Sequence, residues 1–100
     1  MPEPLVTTVF ERGVGQVTLN RPSKRNALTR ELLADLLRAL REFRTNDSLR
    51  ALLLCATGPV FCAGMDLSQM EETASRADAR DVWMADTRLY KDVVWELIQT

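Results

Sequence analysis

Apolar and polar residues alternate through the first twenty positions. Leu5 to Phe10, rich in Val and Thr, reads as one strand, and Val14 to Leu19 reads as a second, with Val17 and Leu19 set against Thr18. Glu11-Arg12-Gly13 supplies the turn between them, so the pair predicts a hairpin with one buried face. The period then changes to that of a helix. Leu32, Leu33, Leu36, Leu37, Leu40 and Phe43 fall on one side, with Arg30, Asp35, Arg38, Arg41 and Glu42 elsewhere on the wheel. Thr29 stands where an N-cap belongs, and Glu31 places an anion in the first turn, where the helix dipole favours it. The leucine stripe lasts less than two heptads and leads straight into a strand, which marks it as core and not as a zipper.

Asn46-Asp47-Ser48 ends that helix, and the unbroken run from Leu49 to Ala56 predicts a strand buried on both faces. Thr57-Gly58-Pro59 stops it, after which Val60, Phe61 and Cys62 predict a loop that re-enters the interior. Met65 to Ser68 open a short helical turn that continues to Glu72. Residues 73–79 are small and polar and read as a mobile surface segment. From Asp81 the pattern is helical again, with Val82, Trp83, Leu89, Tyr90, Val93, Val94, Leu97 and Ile98 marking an apolar side. No Gly, Asn or Pro closes this helix before Thr100, so the end is expected to be a truncation. Strand–strand–helix–strand order predicts an α/β domain in which a helix covers a sheet.

Composition narrows the chemistry. One hundred residues with 46% hydrophobic and 27% charged content suit a single small globular domain. The net charge of −1 gives no general attraction to nucleic acid or anionic membrane, and neither is expected as a partner. The charge is unevenly spread: residues 21–50 carry eight Lys/Arg against four Asp/Glu, and residues 51–100 the reverse. Arg38, Arg41 and Arg44 read as a solvated helix face, whereas Arg21, Lys24 and Arg25 lie in a loop. There they either clamp a phosphorylated ligand or simply form a polar connection. With no histidine, and with only Cys55 and Cys62, there is no metal site and no His-based triad to expect. Both thiols read as small buried hydrophobes. Without a leader pattern or a long apolar run, the chain is expected to be cytoplasmic.

Two further motifs carry little. Gly13-Val14-Gly15 is followed by Thr18 where a dinucleotide fingerprint needs glycine, which makes it a hairpin feature. Glu71 and Glu72 are helical neighbours that point about 100° apart and do not converge as a catalytic pair. The stretch from Val60 to Leu67 holds more promise. Strand, re-entrant loop and Gly64 together form a place where backbone N–H groups could face a ligand oxygen, a composition that structural loops also share.

Phe61-Cys62-Ala63-Gly64-Met65-Asp66-Leu67 resembles the F-C-A-G-x-D-L signature of the crotonase (enoyl-CoA hydratase/isomerase) family. Leu19-Asn20-Arg21-Pro22, followed by Asn26-Ala27-Leu28, resembles that family's L-N-R-P-x-x-x-N-A-L stretch, and the spacing between the two also fits. The resemblance spans Val14 to Met70 and implies the N-terminal part of a crotonase-like ββα spiral, an α/β fold. It implies an acyl-CoA thioester as substrate, coenzyme A as part of that substrate and no separate cofactor. The backbone amide of Met65 would be one of two oxyanion donors, with Ala63 and Gly64 along the coenzyme and Asp66 and Leu67 fixing the loop. Lys24, Arg25 and Ala27 would approach the nucleotide and its phosphates.

By the same resemblance the second oxyanion glycine and the two hydratase glutamates lie beyond Thr100. The chain alone is therefore expected to be inactive, and the whole protein to form trimers or pairs of trimers. Enoyl-CoA hydration is the leading expectation. Isomerase, hydrolase or decarboxylase chemistry, or a non-catalytic CoA-binding module, is the alternative.

Overall fold

The computed structural model describes residues 3–99. The readings placed on Met1-Pro2 and on Thr100 lie outside the described residues. Strands β1 (Val6–Glu11) and β2 (Val14–Leu19) pair antiparallel, with Val6 opposite Leu19 and Glu11 opposite Val14. Their two-residue connection, Arg12-Gly13, has φ of 52° and 83°, and positive φ at both positions suits the strand twist of a tight hairpin. Helix α1 (Arg30–Arg44) then crosses over to β3 (Ala51–Ala56), which lies parallel to β2 with Val14 opposite Ala51. A parallel neighbour needs such a crossover, and the sheet order is β1-β2-β3. Helices α2 (Leu67–Ala74) and α3 (Ala79–Gln99) follow.

The core is the apolar stripe of α1 closed from two sides. Leu32, Leu33, Leu36, Leu37, Leu40 and Phe43 are buried between the sheet, through Val17 and Leu19, and α3, through Val93. Each leucine so buried contributes about 2 kcal/mol, making this stripe the main source of stability. Thr29 caps α1 as its position predicts, its Oγ1 accepting from the Leu32 amide at 3.1 Å. Arg41 and Arg44 are not merely solvated. They reach across to the buried Glu96 of α3, at 3.5 and 3.2 Å, and supply the counter-charge that a buried carboxylate requires.

Four expectations change. β3 is not covered on both faces: α1 packs on one, while Leu53, 49% exposed, points from the other. Among the described residues β3 is an edge strand with no second layer behind it. Phe61 does not re-enter the interior and is 53% exposed; Cys62 is the residue of that loop that packs against the core. Thr73 belongs to α2 and is wholly buried, so the connection to α3 is shorter than the polar composition suggests. The apolar side of α3 splits in two, with Leu89, Val93 and Leu97 against α1 and Trp83, Tyr90, Val94 and Ile98 exposed.

Candidate functional site

Two loops are stitched together by one asparagine. Arg25 and Asn26 both adopt left-handed backbone, each with φ of 55°, after the 3₁₀ turn Pro22–Lys24. Asn26 tolerates that conformation better than most residues, and its side chain is completely buried. Its Nδ2 donates to the carbonyls of Thr57 (2.8 Å) and Val60 (2.9 Å), while Oδ1 accepts from the Arg21 amide (2.8 Å). The loop after β2 and the loop after β3 are thereby held as one body.

The join continues through the backbone. The Ala63 amide donates to the Arg25 carbonyl, the Leu28 amide to Gly64 (2.7 Å), and the Asp66 amide to the Leu28 carbonyl (2.9 Å). Leu28 and Met65 thus form an isolated parallel bridge. In this geometry Leu28 uses the groups on either side of Met65, so the N–H of Met65 itself points away from Leu28. Among the described residues that N–H has no protein acceptor. Gly64 has φ of 97°, a conformation that side chains disfavour, and open space lies where a Cβ would sit.

Asp66 locks the next step. Its Oδ2 accepts from the Arg21 guanidinium at 2.7 Å, and its Oδ1 caps α2 by accepting from the Gln69 amide at 2.7 Å. The hydrogen bond from Arg21, then the one from Gln69, holds the Asp66 carboxyl below the usual carboxylate range. Arg21 also donates to the Ala27 carbonyl at 3.1 Å. Arg21 therefore braces the loop itself.

Beside this junction lies a cleft of about 570 Å³, lined by Leu28, Gly64, Met65 and Asp66 on one side and by α2 and α3 on the other. Arg30 forms part of its wall. Its Nε and Nη2 both donate to Asp86 at 2.9 Å, and Nη2 donates to Thr73 at 2.8 Å, so one side chain ties α1, α2 and α3 together. That hydrogen-bonded carboxylate, foremost, pushes the Arg30 guanidinium above its ordinary value. Gln69 completes the joint: its Oε1 accepts from the Arg30 amide, an orphan donor at the start of α1.

Of the residues singled out from sequence, Gly64, Met65 and Asp66 meet at the cleft. Lys24 and Arg25 are exposed on the neighbouring turn and do not line it, whereas Ala27 is buried beneath them. Ala63 is exposed on the signature loop, with its amide spent on Arg25. Leu67 is exposed at the start of α2, so the loop is fixed by Asp66 without it. Sequence reasoning missed Asn26 as the clamp, although it lies inside a recognised motif. It also missed the Arg30–Asp86 pair, whose members stand too far apart in the chain to signal each other.

A β-hairpin, a crossover helix and a glycine loop that presents an unpaired amide beside an apolar cleft make up an α/β protein. Residues 9–96 match the enoyl-CoA hydratase/isomerase family, and the chain belongs to it. It is 37% identical to 1,2-epoxyphenylacetyl-CoA isomerase of Escherichia coli (strain K12), over 87% of this chain and 33% of that protein. It is 41% identical to 4-chlorobenzoyl coenzyme A dehalogenase-2 of Arthrobacter sp, over 58% of this chain and 21% of that one. Among solved structures, an enoyl-CoA hydratase of Mycobacterium smegmatis superposes with a TM-score of 0.84 at 38% identity, covering 94% of this chain and 35% of the other. The chain thus spans about a third or less of the length of the relatives it matches. Family and fold are those that the two motifs predict.

Proposed function

We propose that this chain carries the thioester-binding half of an enoyl-CoA hydratase-type site, in which the Met65 amide donates to the carbonyl oxygen of an acyl-CoA. The observation that carries this reading is the unpaired Met65 N–H, held by its bridge to Leu28 at the edge of an apolar cleft. As an enolate forms, negative charge gathers on the thioester oxygen. A preorganised donor sheltered from water stabilises that charge by about 3 kcal/mol. Lys24 and Arg25, exposed on the adjoining turn, are the cations that would meet the coenzyme phosphates. No further cofactor is required by this chemistry. The reaction of the whole protein is hydration of a 2-enoyl-CoA, by an assembly of trimers.

A second reading keeps the same donor and changes the reaction. It is favoured by the relatives named as an isomerase and a dehalogenase. Both readings share one test. In the full protein, Met65→Ala keeps most enoyl-CoA turnover, while Met65→Pro, which deletes the N–H, lowers it about a hundredfold or more. Equal behaviour of the two variants overturns the oxyanion role. Charge reversal at Lys24 and Arg25 to Glu is expected to weaken CoA binding about tenfold.

A further inference from the structure

The wall that α3 presents to the cleft is a single helical stripe. Trp83, Asp86, Thr87 and Tyr90 stand at spacings of three, four and seven residues, so they share one face. Trp83 and Tyr90 are 43% and 46% exposed, two turns or about 10 Å apart, and both line the cleft. Met65, on the signature loop, and Met70, on α2, line the same cleft. Between the aromatic residues the Arg30–Asp86 pair also opens on the cleft, with its charges matched to each other. The other lining carboxylate, Asp66, is held by Arg21, so the cleft offers apolar, polarisable walls and no unpaired charge for an ionised acyl terminus.

We propose that the acyl group taken by this cleft carries an aromatic ring, seated among Trp83 and Tyr90 of α3 and the lining methionines Met65 and Met70. The proposal rests on the thioester reading above and specifies its substrate class. Indole and phenol faces prefer offset or edge contacts with another ring, which add to what its buried area contributes. Methionine sulfur makes favourable contacts with aromatic rings as well. A ring is also rigid, whereas a straight acyl chain of equal carbon number must give up several torsions to lie in the same space.

Calorimetric titration of the protein with phenylacetyl-CoA, octanoyl-CoA and free CoA tests this at matched acyl carbon number. Phenylacetyl-CoA is expected to bind about fivefold more tightly than octanoyl-CoA. Trp83→Ala and Tyr90→Ala each bring that ratio towards one, while Trp95→Ala, on an exposed part of α3 outside the cleft, preserves it. If octanoyl-CoA binds as tightly as phenylacetyl-CoA, or if the ratio survives both cleft variants, the aromatic assignment is overturned and the thioester reading stands. If none of the three binds, both fall.

Discussion

Asp66 shows how much one side chain contributes when both its oxygens are used. One oxygen holds Arg21 and the other caps α2, so the ionised form is favoured in the folded protein. Because the folded carboxyl titrates below the ordinary carboxylate value, its contribution is complete above that value and is lost as pH falls through the folded one. Asp66→Asn is therefore expected to lower stability at neutral pH by about 2 kcal/mol and to flatten the acid limb. Urea unfolding at a series of pH values from neutral down through the carboxylate range checks it, since the gap between wild type and variant should narrow as pH falls. Asn26 has a different role, for its contribution is geometric: no other side chain in the loop bonds both the Thr57 and the Val60 carbonyls. The motif drew attention to this loop, whose Gly64, Met65 and Asp66 line the cleft. The Asn26 clamp was not legible, because its partners lie more than thirty residues away.

At the scale of elements, α1 was almost wholly legible, since a cap, an amphipathic stripe and a polar stop all agree. β3 was legible as a strand but not in its surroundings. An unbroken apolar run is what a doubly buried strand needs, yet the covering layer is a property of other chain segments. The faces of α3 were misassigned because two apolar stripes lie side by side on one helix, and periodicity cannot say which of them meets α1. The joint between α1, α2 and α3 depends on Arg30, and its fork geometry is not reproduced by lysine. Arg30→Leu and Asp86→Leu are each expected to cost about 2 kcal/mol, because each leaves a partly buried partner uncompensated. The double replacement by leucine should cost less than the sum of the singles, as a double-mutant cycle in thermal unfolding would report.

Across the whole molecule, the distribution of apolar surface is unusual. Val9, Val14 and Leu53 stand on the sheet face away from α1, while Met84, Val94, Trp95 and Ile98 stand on the outer side of α3. Patches of this kind drive association in water. The isolated chain is expected to self-associate as its concentration rises, and Trp95→Lys with Ile98→Glu should shift it towards monomer in sedimentation. Retention of the oligomer in that double variant would place the contact elsewhere, on the sheet. The Leu28–Met65 bridge has a different kind of consequence. Leu28 directly precedes the cap of α1, so the donor at Met65 is fastened to the helix that makes the core. Site order and global folding are then one cooperative event: a fold that loosens α1 releases the donor in the same transition, leaving no intact shell around a slack site.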